Sequence, residues 1–178
     1  YRFSPFCLGS GAHSARVCAE DTGNAIAING ADFPLFLLEP WLNNAGKEFA
    51  YTGLASLSGE LPKDFTLAGT GFVNLRVPFL KIAVKPNIDT EVARIEDVHI
   101  EARWLGQRLS GSFSATLAQG GRVEGDLKTG FSDNAPLAGG LRVQIYDLAW
   151  LELFSLDISQ PTGRLTGNVE LSGTRNAP

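Results

Sequence analysis

The stretch GRLTGNVELSGT, residues 163–174, alternates without a slip. Gly163, Leu165, Gly167, Val169, Leu171 and Gly173 share one parity, and Arg164, Thr166, Asn168, Glu170, Ser172 and Thr174 share the other. Successive side chains of a strand point to opposite faces, so the stretch predicts an amphipathic strand. Every glycine lies on its apolar side, although glycine weakens a strand and fills no core. A sheet built this way has a face that is greasy and shallow at once.

The same pattern recurs along the chain. In QRLSGSFSATL, Leu109, Gly111, Phe113, Ala115 and Leu117 oppose Arg108, Ser110, Ser112, Ser114 and Thr116. From Phe65 the odd positions run through Leu67, Gly69, Gly71, Val73, Leu75 and Val77, with Phe72 the one bulky residue of the other parity. Shorter strands are predicted over 25–29, 49–61, 80–85, 95–104, 122–129 and 141–146, separated by turn residues. The stretch 93–104 changes parity, from Ile95 to Val98, Ile100, Ala102 and Trp104, which predicts a β-bulge near Glu96 and Asp97.

Two segments read as short helices. DFPLFLLEPWL (32–42) has Asp32 as a cap, Pro34 in the first turn and Pro40 as a stop, and DLAWLELFSLDI (147–158) is its sister. Each precedes a glycine-punctuated strand, TGLASLSGEL from Thr52 and TGRLTGNVEL from Thr162, 110 residues apart. The chain therefore reads as a single domain, 1–178, in which a helix-then-meander module begins a second copy near residue 147. It begins at Tyr1 without Met and stops inside the pattern, as expected of a piece of a longer protein.

Composition narrows the function classes. The 15 basic residues are scattered and the net charge is −4, which leaves no electrostatic footprint for nucleic acid. No apolar run approaches the ~20 residues of a membrane-spanning helix. Cys7 and Cys18 flank a loop-like stretch, CLGSGAHSARVC; a disulfide, and with it an oxidising compartment, is the first reading, and a metal site using His13 is the alternative. With His13 and His99 the only histidines, no Ser, His and Asp arrangement suggests a nucleophile, and GTGF (69–72) lacks the strand–turn–helix context of a dinucleotide loop. Glu91, Glu96, Asp97 and Glu101 surround His99, but Arg94 and Arg103 interleave, as on a solvated strand face. The expectation is a protein that is not an enzyme and holds neither cofactor nor metal. Trp41, Trp104 and Trp150 read as core or interface anchors.

The order of the cysteine stretch, the apolar FPLFLLEPWL and LAWLELFSLDI segments and the GRLTGNVELSGT strand resembles the TamB/AsmA-like family of Gram-negative envelope proteins, over essentially the whole chain. The resemblance implies a periplasmic slice, from the C-terminal half, of a long protein anchored in the inner membrane by an N-terminal helix. Its fold would be mostly β: an elongated, curled antiparallel-type sheet bent into a U, with an apolar concave face and one or two short helices. Phospholipid would move along that face towards the outer membrane. The family also works with a partner barrel, TamA, in the translocation and assembly of outer-membrane proteins.

On this reading the acyl chains would meet a wall whose middle strands supply Leu57, Leu67, Val73, Leu75, Leu80 and Ile82. Val98, Ile100, Phe113, Leu117, Val123 and Leu127 continue it, and Val143, Ile145, Leu165, Val169 and Leu171 complete it. Two other readings use the same pattern: a scaffold or chaperone that holds client strands by strand addition, and a sealed sandwich that buries the apolar faces against each other.

Overall fold

The computed structural model describes residues 4–9, 15–42, 49–63, 69–85, 91–132, 134–148 and 162–176. They form ten strands: β1 (Phe6–Gly9), β2 (Arg16–Asp21), β3 (Ala25–Pro34), β4 (Phe49–Pro62), β5 (Thr70–Val84), β6 (Glu91–Leu105), β7 (Arg108–Leu117), β8 (Gly121–Gly130), β9 (Pro136–Ile145) and β10 (Leu165–Thr174). A 3-10 turn, η1 (Leu35–Leu38), and a one-turn helix, α1 (Glu39–Leu42), follow β3. All ten strands make one antiparallel sheet in sequence order, β1 through β10, and it does not close into a barrel. The fold is the expected one: mostly β, curled, with very little helix. Such a meander needs only short connections, because antiparallel neighbours can be joined by tight turns.

The curl has a local cause. Between Gly30 and Phe33 of β3 the partner β4 advances only from Leu57 to Ala55. Between Leu80 and Arg76 of β5 it advances only from Gly53 to Ser56, and between Glu96 and His99 of β6 the partner β7 advances only from Thr116 to Ser114. Strands β3, β5 and β6 thus each hold one extra residue at the same level of the sheet. An extra residue bends the strand and increases its twist. Asp32 (φ 52°) and Asp97 (φ 47°) take the left-handed conformation there, which a short polar side chain tolerates better than most. The bulge expected near Glu96 and Asp97 is therefore present and is one part of a crease running from β3 to β6. Across the crease the apolar parity changes, from Leu75 and Val77 to Leu80 and Ile82 on β5, and from Ile100 and Val98 to Ile95 on β6.

Three expectations change. The stretch around Cys7 and Cys18 is a hairpin, β1–β2, with the two cysteines directly opposite each other. Of the segments 65–77 and 80–85, read as two strands, residues 70–84 form one strand, β5, that the crease bends without breaking; 65–68 lie outside the described residues. The helix expected from Asp32 begins only at Leu35, because β3 continues to Pro34; Asp32 lies in the bulge, and no side chain caps η1. The second expected helix and Trp150 lie outside the described residues from position 149 onward, as do Leu67, His13 and the side chain of Trp41.

The compact core is small. Leu35 of η1, Ala55 and Val77 are buried together, with Phe33, Tyr51, Leu75, Leu80 and Val98 packed around them. Gly53 makes this possible, since a Cβ there would collide with the Phe79 carbonyl and lie 3.0 Å from Leu35 Cδ1. The four-residue edge strand β1 is exposed throughout, and the Cys7–Cys18 disulfide ties it to β2. By the chain-entropy argument a link closing so short a loop contributes roughly 2–3 kcal/mol. In Cys7→Ser/Cys18→Ser the β1 amides should exchange far faster with deuterium while those of β5 and β6 keep their protection. Uniform loss of protection across the sheet would contradict a purely local role for the bond.

Candidate functional site: one apolar face across ten strands

Cross-strand register assembles the site, because directly paired residues share a face. One row begins Phe6, Ala19, Ile28, Gly59, Val73 and continues Ala102, Gly111, Leu127, Gly139, Leu171. The next begins Leu8, Val17, Gly30, Leu57, Leu75 and continues Ile100, Phe113, Gly125, Leu141, Val169. Neither row contains a polar side chain. The adjacent row on the opposite face runs Cys7, Cys18, Asn29, Ser58, Asn74, then Glu101, Ser112, Asp126, Gly140 and Glu170.

The sheet brings the expected wall positions together. Leu57, Val73, Leu75, Ile100, Phe113, Leu127, Val169 and Leu171 stand in the two rows above. Val123, Val143, Ile145 and Leu165 extend the face along β8, β9 and β10, and Val98 extends it along β6. Leu80, Ile82 and Leu117 join it beyond the crease, through Leu80 paired with Ile95 and Ile95 paired with Leu117. The sequence missed the contributions of Phe6, Leu8, Val17 and Ala19. Each of their strands offers two apolar positions to the face, too few to establish a period of two.

The glycines do not simply leave space. A Cβ on Gly125 would lie 2.5 Å from Phe113 Cε1, and one on Gly71 would collide with the Trp104 indole. Each ring lies over the glycine of its paired strand, as aromatic side chains do when they shield a neighbouring glycine. Gly167, by contrast, has nothing within 4 Å of a Cβ position. Glycine therefore levels the face, allowing bulky side chains to lie down on it. Much of the face remains open to solvent: Ile100 is 42% exposed, Val169 51% and Leu171 41%, whereas Ile145 is buried at 2%. Trp104 Nε1 and Thr129 Oγ1, on this face in register with Leu109, are buried without a hydrogen-bond partner among the described residues.

The turn formed by η1 and α1 packs on β4 and is tied down by Glu39. Its Oε1 accepts a hydrogen bond from the Tyr51 N–H at 3.1 Å, and its Oε2 accepts one from Lys85 Nζ at 2.6 Å. Burial by itself would raise the pKa of Glu39, but the Lys85 hydrogen bond, the Tyr51 N–H and the Lys85 charge outweigh it and hold the carboxyl below its ordinary value. Burial also raises the Tyr51 hydroxyl pKa, assisted by the Glu39 charge.

The polar face carries the charged groups. Asp97 lies 3.6 Å from Arg76, and Glu101 pairs with Arg103, so the carboxylates near His99 are partly neutralised. The side chain of Glu91 lies outside the described residues. His99 and Ser114 are cross-strand partners and Glu124 is next in that row, but no hydrogen bond joins His99 to Ser114. Glu124 instead accepts hydrogen bonds from Arg122 at 2.9 Å and Arg142 at 2.8 Å, which lower its pKa. Both cysteines are held in the disulfide, and no group of three metal-ligating side chains occurs among the described residues.

No family model matches this chain, and neither a curated protein nor a solved structure matches it. Its disulfide is the kind of bond that persists outside a reducing cytosol.

The Glu39 interaction has a definite pH dependence. A carboxyl whose pKa is lowered by folding adds stability above its unfolded value, near 4.3, and that stability is lost as pH falls through the folded value. After correction for intrinsic exchange, Tyr51 amide protection should therefore fall below about pH 4. Lys85→Gln should weaken that protection at neutral pH by roughly 0.2–1 kcal/mol, the range for a partly exposed pair. A pH-independent Tyr51 amide would remove Glu39 as the anchor of the turn.

Proposed function

We propose that this chain is a segment of a periplasmic groove protein whose apolar face binds acyl chains and conducts phospholipid between the inner and outer membranes. The carrying observation is the pair of side-chain rows that stay apolar across ten consecutive strands while large hydrophobic residues on them remain exposed. Soluble proteins seldom leave so extended an apolar surface without a partner for it. Each acyl methylene taken from water onto such a surface contributes about 0.8 kcal/mol. A levelled face with repeating large and small positions holds an alkyl chain without a single deep pocket, so the chain can slide.

The disulfide and the family resemblance support the periplasm as the compartment. No helix among the described residues is long and apolar enough to cross a membrane, and on this reading an anchor belongs to another part of the full-length protein. The reading needs no cofactor and no catalytic residue. Contact with the assembly barrel TamA would also run through the full-length protein.

Strand addition is a second reading, favoured by one observation: β10 pairs only with β9 among the described residues, leaving its outer edge available to a client strand of an outer-membrane protein. Photo-crosslinkers at Val73 and Val169 that capture lipid support the conduit, whereas client-protein adducts confined to β10 support the scaffold.

Val73 sits between Gly59 and Ala102 in the apolar row. Gently purified wild-type chain should carry phospholipid detectable by mass spectrometry, and Val73→Asp or Phe113→Asp should reduce it at least fivefold with an unchanged far-ultraviolet circular dichroism spectrum. Folded variants that carry lipid at the wild-type level would overturn the conduit reading.

A further inference from the structure

The face opposite the apolar rows is not uniformly polar. Near the ends of β5 to β9 it holds a depression of about 1060 Å³, whose lining combines polar and apolar residues of that face with Gly71, Trp104, Leu109 and Thr129 of the other. Pairing of Phe72 with Arg103, of Leu105 with Arg108 and of Lys128 with Ala138 places these six residues together on that face. Phe72, the bulky residue of the wrong parity in the sequence, thereby gains a setting: it belongs to this second apolar patch rather than to the ten-strand rows. Leu105 there is 68% exposed.

The charge of the depression opposes that of the chain. Its lining holds Arg103, Arg108 and Lys128 against one carboxylate, Glu60, in a protein whose net charge is −4. Arg103 is paired with Glu101. Arg108 and Lys128 have no ion pair among the described residues, although β7–β8 register makes them diagonal neighbours. Diagonal neighbours lie about 7–8 Å apart, close enough for one anionic group to meet both. A volume of this order accommodates a ligand of moderate size.

We propose that this depression is a second binding site, distinct from the two ten-strand apolar rows, for an anionic amphiphile. Arg108 and Lys128 receive its carboxylate or phosphate, and Phe72, Leu105, Pro136 and Ala138 contact the first part of its alkyl chain. Charge complementarity selects the ligand class, because a neutral detergent would satisfy the apolar patch and leave both cations unanswered. The site does not depend on the conduit reading and would stand if that reading failed.

The test is calorimetric titration of the full chain with dodecanoate, with lysophosphatidylglycerol and with dodecyl maltoside, below their critical micelle concentrations. Dodecanoate or lysophosphatidylglycerol should bind at least tenfold more tightly than the maltoside; preference between the two anions identifies a fatty acid or a phospholipid headgroup as the source. Arg108→Gln/Lys128→Gln should abolish the preference, Arg108→Lys/Lys128→Arg should retain it, and Arg164→Gln, which removes an exposed cation outside the depression, should leave it unchanged. Equal affinities for anionic and neutral amphiphiles, or a preference that survives the double Gln substitution, would overturn the proposal. So would loss of the preference in a folded Arg164→Gln variant.

Discussion

Cross-strand register is the constraint on which this structure depends. A side-chain period of two makes any slip of one residue exchange the two faces of a strand. Ten strands therefore give a continuous apolar row only if all nine pairings are correct together. They are correct from Phe6 on β1 to Leu171 on β10, and the reverse row, after the Cys7–Cys18 disulfide, is polar or glycine from Asn29 on β3 to Glu170 on β10. The ladder is also the main source of cohesion, since the cluster of buried side chains among the described residues is small, built around Leu35, Ala55 and Val77.

The crease shows how a sheet can change direction without losing its sidedness. Each extra residue in β3, β5 and β6 uses up one step of alternation, so the parity of the apolar face changes within the strand while its pairing is kept. Occurring at one level, they keep Leu80 opposite Ile95 and Ile95 opposite Leu117, so the apolar face continues beyond the bend. Leu35 and Gly53 meet at that level, and Glu39 secures the η1–α1 turn to β4 and Lys85. Bend, plug and anchor form one local assembly.

Glycine serves two purposes that the pattern of residues alone does not separate. At positions 71 and 125 its missing Cβ admits an aromatic ring from the paired strand, whereas at 167 it leaves open surface. Both lower the relief of the apolar face, and a low-relief face suits a flexible alkyl chain better than a rigid ligand. The opposite face contrasts with this plan: its depression near Arg108 and Lys128 sets apolar residues such as Phe72 and Leu105 beside exposed cations.

Local alternation determined the class of fold, most strand positions and the membership of the apolar wall, because a period of two is written directly into each strand; parity even located the bulge at Asp97. Cys7 and Cys18 announced their bond through their spacing, yet the hairpin around them was hidden by strands too short to show a period. Asp32 and Pro34 carried a helix-start signal that the β3–β4 ladder overrode, since pairing extends β3 through Pro34. Only the assembled sheet decided that the bulges align, that Phe113 and Trp104 lie over paired glycines, and that Phe72, Arg108 and Lys128 share a depression. These properties depend on which residues stand opposite one another, and that relation exists between strands rather than within any of them.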